Sequence, residues 1–278
     1  MSTPVIDFHI HTAYYDTITP TLRTFLEKYN AEVAADWDGY LAKYNDPVKF
    51  SNYLETSGAD YGVILAEYCP IATGVSTNDH VYNFCKDQER LIPFGCINPY
   101  LLSNPAAEVE HLVKDLGFKG LKLYPSYCLF YPTDPIMYPV YTKAQELGIP
   151  IMMHTGSSVF YGTRIKYADP IFFDDLAVDF PDLTLLMAHS GRGFWYEKAF
   201  FLSRLHKNVY MEITGLPPHR LLTYFPEFER NADKIVFGTD WPAFEVKTLI
   251  EAIRALPLKD SSIEKILGGN AARLLKIG

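Results

Sequence analysis

Two histidines one residue apart, His9 and His11, follow the apolar run Pro4-Val5-Ile6. An extended strand repeats side-chain direction every two residues, so both imidazoles point to one side and can share a metal ion. A catalytic zinc normally takes about three protein ligands and keeps one position open for water or substrate. The other ligands must then come from distant parts of the chain. Three groups occupy suitable settings, each at the end of an apolar run: His154 in Met152-Met153-His154-Thr155-Gly156, His189 in Met187-Ala188-His189-Ser190-Gly191, and Asp240 in Phe237-Gly238-Thr239-Asp240-Trp241-Pro242. Singly, such a histidine reads as a hydrogen-bonded structural group and such an aspartate as a cap or turn residue. Their joint placement is another matter, because unpaired polar groups in a buried mouth cost several kcal/mol.

The elements that carry these groups alternate regularly. Short β-rich runs are expected near 5–9, 61–66, 91–96, 120–124, 149–154, 183–188, 209–213 and 235–238. Most are continuously apolar, as parallel strands covered on both faces should be. Amphipathic stretches separate them, among them 105–113 with Pro105 in its first turn and Gly117 at its exit, 138–147 before Gly148, 244–255 before Pro257, and a closing helix over 264–275. The pattern predicts an α/β fold, a closed (β/α)8 TIM barrel filling residues 1–278 as one domain. A doubly wound open sheet would carry a Gly-x-Gly-x-x-Gly turn after its first strand, and the sequence has none. In such barrels catalytic groups sit where strands enter the loops of the C-terminal face, which is where the histidines and Asp240 fall. The rhythm breaks once, over residues 12–59, a long helical insertion after the first strand. It is rich in aromatics (Tyr14, Tyr15, Phe25, Tyr29, Trp37, Tyr40, Tyr44, Phe50, Tyr53) and is expected to form a lid or a rim element. A smaller flap is expected over 132–139.

Composition narrows the partners. The 278 residues carry a formal net charge of -8 and no basic run, which argues against nucleic acid or an anionic membrane. The four cysteines show no Cys-x-x-Cys spacing and read as reduced thiols of a cytoplasmic protein. No secretory signal is visible, and no apolar run approaches the roughly 20 residues that span a bilayer.

The ordered set His9-Ile10-His11, Gly117-Phe118-Lys119-Gly120-Leu121-Lys122-Leu123, His154-Thr155-Gly156, His189-Ser190-Gly191, Gly238-Thr239-Asp240-Trp241-Pro242 and Asn270-Ala271-Ala272-Arg273-Leu274-Leu275 resembles the amidohydrolase superfamily. The branch it resembles includes aminocarboxymuconate-semialdehyde decarboxylase and related small hydrolases, and the resemblance covers essentially the whole chain. It implies a distorted (β/α)8 TIM barrel and one divalent ion, zinc first and manganese second, held by His9, His11, His154 and Asp240, with His189 beside it. A homodimer is also implied by the resemblance alone. Physical chemistry gives these residues roles: a divalent ion lowers the pKa of bound water to about 7, Asp240 serves as general base and then acid, and His189 polarises a carbonyl or stabilises negative charge.

Lys122 shares its strand face with Gly120 and Tyr124 and should face the barrel interior. It is either a carboxylated bridging ligand of a second metal, as in binuclear relatives, or a partner of Glu67, Glu212 or substrate. Arg192 and Arg164 are the candidate docking groups for a substrate carboxylate. Tyr124, Tyr127, Phe160, Tyr161, Phe194, Trp195 and Trp241 are expected in or near the mouth, where they could wall an unsaturated substrate. The leading expectation is a hydrolase acting through metal-activated water on a small, carboxylated ester, lactone or amide-like molecule. The alternative is a non-oxidative decarboxylase of an aromatic or unsaturated acid. Some decarboxylases of the branch replace the first histidine pair by Glu-x-Ala-like ligands, so His9-Ile10-His11 leans away from those. A third reading, a catalytically silent metabolite-binding barrel, would require a missing ligand or base, and none is missing.

Overall fold

A computed structural model describes residues 3–277. Eight parallel strands run in sequence order around a barrel: β1 (Ile6–His11), β2 (Tyr61–Leu65), β3 (Leu91–Cys96), β4 (Gly120–Leu123), β5 (Ile151–Gly156), β6 (Leu185–Arg192), β7 (Val209–Glu212) and β8 (Ile235–Val236). The last strand is only two residues long, and closure is completed by the chain that follows it. The Phe8 N–H donates to the Phe237 carbonyl (3.0 Å), the Asp240 N–H to His9 (3.0 Å) and the His11 N–H to Trp241 (2.8 Å). Asp240 is therefore stitched by backbone bonds to the strand that carries both histidines.

The near-continuous apolar character of the strands follows from burial on both faces. Ile6, Phe8, Val63, Leu65, Ile92, Phe94, Met152, Leu186 and Val236 form one cluster, while Ile10, Ile64, Leu121, Leu123, Met153 and Met187 pack in the larger one shared with the helices. Strict alternation fails on the strand that carries the histidine pair. The β1–β2 ladder shifts register between Asp7 and Ile10, so Phe8 packs in the smaller cluster while its neighbour His9 lines the cavity at the barrel mouth. Such an irregularity re-aims a side chain without ending the strand.

The stretch 12–59 contains four helices, α1 (Pro20–Tyr29), α2 (Ala31–Ala35), α3 (Trp37–Tyr44) and α4 (Pro47–Thr56). Thr19, Asn30, Asp36 and Asp46 cap their N-termini by accepting from backbone N–H groups two or three residues on, which is why the region breaks where it does. Its aromatics close over Trp241, whose ring centroid lies 4.7 Å from that of Phe50 and 5.3 Å from that of Tyr44. Before α1, Thr17–Ile18 joins Gly74–Ser76 and Glu67–Cys69 in a small antiparallel sheet beside the mouth.

Helices Pro105–Lys114, Tyr138–Leu147 and Val246–Arg254 match the expected stretches to within two residues. The expected flap over 132–139 holds a short 3-10 turn, Pro135–Met137, leading into the Tyr138 helix. The closing helix departs from expectation: Asp260–Glu264 passes through a π turn, Lys265–Gly269, before Asn270–Leu275. Within that turn the Ile266 carbonyl accepts from the Phe237 N–H (3.1 Å), tying it to the segment that closes the barrel. None of the described helices is long and apolar enough to cross a membrane.

Candidate metal centre and cavity

His9 and His11 arrive on β1 and Asp240 on the segment after β8, and one ligand atom of each lies within 4.8 Å of the others. The geometry is nearly symmetric. Asp240 Oδ1 stands 3.4 Å from His9 Nε2 and 3.4 Å from His11 Nε2. Each imidazole is backed by an acid on its other nitrogen: Glu212 Oε2 is 3.1 Å from His9 Nδ1 and Glu67 Oε2 is 3.3 Å from His11 Nδ1. A carboxylate only accepts, so Glu212 holds the proton on His9 Nδ1 and leaves the Nε2 lone pair facing Asp240. That is the tautomer a metal ligand needs, and backing carboxylates of this kind orient ligands and raise their basicity.

The charge states follow from the same contacts. Burial works against a charged His11, but Asp240 and Glu67 outweigh it and hold the imidazolium up to about 9. Burial also opposes ionisation of Asp240, yet the surrounding histidines hold its carboxyl well below the usual range. His9 is lowered, by burial first and then by Lys122.

His154 and His189 stand outside the triplet and line the same cavity. Their ring centroids are 4.7 Å apart, and that of His189 is 5.1 Å from that of His9. Burial, with Arg192 nearby, pushes both imidazoles well below their ordinary value, so both are neutral. His189 Nδ1 donates to the Thr214 carbonyl at 2.9 Å. His154 Nε2, by contrast, is a buried nitrogen without a hydrogen-bond partner among the described residues. An unpaired neutral imidazole nitrogen beside a His-His-Asp triplet fits a divalent ion as a further ligand, since such a group otherwise bears an uncompensated desolvation cost.

The backbone at His189, at its neighbour Ser190 and at Asp240 is held in the left-handed region, with φ of 64°, 46° and 66°. For residues with a side chain this costs of order 1–3 kcal/mol each, and such strain concentrates where a site must be held in one arrangement. Gly238 is required by crowding. A Cβ there would come within 2.6 Å of Glu212 Oε1 and 2.7 Å of His9 Cβ, so any side chain would push the acid and its histidine apart.

A family model for amidohydrolases matches residues 6–277. The chain belongs to the amidohydrolase family. Among curated relatives, the gamma-resorcylate decarboxylase of a Rhizobium species is 24% identical over 251 residues, covering 72% of this chain and 75% of its own. An uncharacterized TIM-barrel protein of Bordetella bronchiseptica superposes with a TM-score of 0.81 at 24% identity, covering 98% of both chains. A dihydroxybenzoic acid decarboxylase of a Polaromonas species, with bound manganese and the inhibitor 2-nitroresorcinol, gives a TM-score of 0.72 at 18% identity, covering 100% of this chain and 98% of its own.

In this amidohydrolase the triplet opens into a cavity of about 430 Å³. Lys122, Tyr124, Tyr127 and Arg192 line its inner part with the histidines and Asp240, while Leu22, Phe25, Leu26 and Tyr29 of α1, with Phe160 and Phe244, form apolar wall. Helix α1 thus contributes wall as well as rim. Two expected contacts need correction. Trp241 does not line the cavity: its indole is buried beneath Tyr40, Tyr44 and Phe50, because cavity and aromatic cluster lie on opposite sides of the turn. Arg164 is exposed, with Nη1 near the Gly162 and Thr163 carbonyls, and lies outside the lining. Tyr161 and Phe194, 77% and 76% exposed, are likewise outside it, as is Trp195.

Lys122 also differs from expectation. Among the described residues no carboxylate oxygen lies within 4.0 Å of its Nζ, and the neighbour is His9 Nε2 at 3.4 Å. Glu67 and Glu212, the acids expected to pair with it, support the two histidines instead. Burial brings the Lys122 ammonium down to about 8, with longer-range help from Glu212 and Asp240 keeping it from falling further. Ser157 is not singled out by the sequence, and Tyr15 only as one aromatic of the 12–59 stretch. Tyr15 donates to Glu67 Oε2 at 2.9 Å, and the Ser157 carbonyl accepts from Arg192 Nη2 at 2.9 Å. Nothing in their residue types marks them, since both contacts depend on loop conformation.

Proposed function

We propose that this amidohydrolase is a metal-dependent, non-oxidative decarboxylase of a small aromatic or unsaturated carboxylic acid. The observation that carries this reading is a carboxylate, Asp240, at the floor of a cavity that also holds two cationic side chains, Lys122 and Arg192. Cations beside a carboxylate placed to relay a proton suit a substrate whose own carboxylate must be held and then lost. The decarboxylase relatives support the same reading, whereas hydrolysis, the leading expectation from sequence, is supported only at the level of the family.

The ion would be held by His9, His11 and Asp240 with His154 as a fourth ligand, zinc suiting the imidazole-rich set and manganese being the ion of the Polaromonas structure. When bound, it supplies positive charge that orients an anionic substrate and stabilises negative charge developing on it. The remaining work falls to the chain. Arg192 offers a guanidinium fork to the substrate carboxylate, held in place by the Ser157 carbonyl. Asp240, ionised in the resting site, takes up a proton from solvent as substrate enters and passes it to the carbon bearing the carboxylate; the electron pair of the breaking C–C bond takes up that proton as carbon dioxide departs. His189, kept neutral, hydrogen-bonds a substrate oxygen as charge builds there. The aromatic and aliphatic wall from α1 excludes water from the cleaving bond.

Gly215 sets the position of Arg192. A Cβ there would fall 2.4 Å from Arg192 Nη1, at a residue whose φ is +69°. Gly215→Ala is therefore expected to lose about 1–2 kcal/mol of stability in the left-handed conformation. It should also raise KM for a carboxylated substrate about tenfold or more, roughly the worth of one charge-assisted hydrogen bond. Steady-state kinetics beside a denaturant titration would measure both; an unchanged KM would remove Arg192 from substrate docking.

Metal uptake should depend on pH with a definite sign. His11 is held up to about 9 in the metal-free chain, so its charged form adds stability that is complete below the ordinary histidine value and is lost as pH rises through about 9. A metal needs the neutral imidazole. Binding therefore displaces a proton below about 9, and affinity should fall about tenfold for each pH unit of acidification. Zinc competition titrations between pH 6 and 8 would show this slope, and a flat profile would mean that His11 is not a ligand.

The reaction itself is decided by a product assay with 2,6-dihydroxybenzoate and related hydroxylated or unsaturated acids, alongside lactones and esters. Carbon dioxide release from an acid is the expected result. Turnover confined to lactones or esters would restore the hydrolase reading and displace this one.

A further inference from the structure

Lys122 lies in β4, fully buried, with its Nζ 3.4 Å from His9 Nε2. His9 is constrained from the other side, where Glu212 Oε2 sits 3.1 Å from Nδ1 and can only accept a hydrogen bond. The proton of that imidazole is accordingly on Nδ1, and Nε2 has a single lone pair. A lysine N–H and a divalent ion held by His9, His11 and Asp240 both call on that lone pair. They cannot both have it.

Charge adds to the conflict. An ammonium without a carboxylate inside ion-pair distance, among the described residues, stands beside the position where a dication would bind. Like charges in a buried setting repel more strongly than in water. Lys122 also lines the cavity, as does Arg192. An anion entering that cavity offers the ammonium the counter-charge that Glu67 and Glu212, engaged with His11 and His9, do not supply at contact. The four-carbon stem of lysine lets its head group turn to such a partner.

We propose that Lys122 competes with the divalent ion for His9 and that an anionic substrate relieves this competition by engaging the ammonium, so that metal and anion strengthen each other's binding. The coupling is reciprocal by thermodynamic necessity: an anion that tightens metal binding by some factor is itself bound tighter by that factor when metal is present. Retention of the ion thereby depends on the presence of substrate or of another anion of that class. This inference rests on the assignment of a metal to His9, His11 and Asp240.

The test is zinc affinity, measured by competition with a chromophoric chelator, for the wild-type chain, Lys122→Met and Lys122→Arg, each with and without benzoate as an unreactive aromatic carboxylate. In wild type, benzoate is expected to tighten zinc about fivefold or more, within the usual range of coupling between sites. Lys122→Met, which keeps the stem and removes the charge, should bind zinc about tenfold or more tightly without benzoate and respond less to its addition. Lys122→Arg, which keeps the charge, should stay as weak as wild type in the absence of benzoate. Equal or weaker zinc binding by a Lys122→Met protein that melts as the wild type does would overturn the proposal. Should that variant fail to fold, the wild-type arm decides alone, because zinc affinity indifferent to benzoate overturns it as well. Absence of zinc binding in every protein would bring down the metal assignment itself, a result distinct from equal binding in all of them.

Discussion

Asp240→Asn is expected to lower kcat by about 10²–10⁴-fold, the usual worth of a positioned proton-transfer group. The substitution preserves shape while removing the charge that faces both imidazoles, Oδ1 standing 3.4 Å from each Nε2. Folding should survive, because asparagine is among the few residues that tolerate the left-handed backbone found here at φ 66°. The backbone bonds from the Asp240 N–H to His9 and from the His11 N–H to Trp241 are also untouched by it. Single-turnover rates at saturating metal separate weakened metal binding from lost proton transfer. A variant that keeps its rate within about tenfold of wild type under those conditions would show that the proton comes from elsewhere.

Glu212→Gln is expected to damage metal binding and stability together. Glu212 Oε2 meets His9 Nδ1 at 3.1 Å and the His189 N–H at 3.3 Å, while Oε1 accepts from the Thr214 N–H at 2.8 Å and from the Thr214 hydroxyl. One fully buried carboxylate thus serves donors from β1, from β6 and from the segment after β7. A glutamine has one accepting oxygen, and whichever way it turns, its NH₂ faces groups that also donate. Each buried donor left without a partner costs about 1–3 kcal/mol. Loss of the backing acid should weaken metal binding about 10–100-fold. Denaturant unfolding of the metal-free protein reads the first effect and chelator competition reads the second; a variant with wild-type values in both would mean that Glu212 only fills space.

Much of this centre was legible in the sequence because strand periodicity and strand ends are local properties. His9 and His11 could be paired from their spacing, and Asp240 could be placed at a strand end because apolar runs stop there. The helical boundaries at 138–147 were legible for a related reason, with Gly148 in the left-handed conformation closing that helix. Long-range partnership was not legible. Glu67 and Glu212 sit at or near strand ends just as the histidines do, and were read as partners of Lys122. The choice between Lys122 and the imidazoles is made by side-chain placement across the barrel, where Glu212 and Glu67 lie 3.1 and 3.3 Å from the histidines.

The loops were the least legible part. Arg164 lies in the loop after His154 and Trp241 directly follows Asp240, but loop direction sends one to the surface and the other beneath the aromatics of 12–59. A turn at Trp241-Pro242 could be anticipated; the side on which its indole would lie could not. Conversely, Leu22, Phe25 and Leu26 reach the cavity on α1, which ends at Asn30, whose side chain donates to the Pro242 carbonyl at 2.8 Å and ties the helix to the barrel. No periodicity in the sequence encodes that contact.

Metal analysis of the protein purified without chelator, carried out in parallel on His11→Ala and joined to a carbon dioxide release assay on the same samples, bears most directly on the chemistry proposed here. About one divalent ion per chain is predicted for wild type, with both the ion and the decarboxylation lost in the variant. A wild-type protein that releases carbon dioxide while free of metal would contradict it.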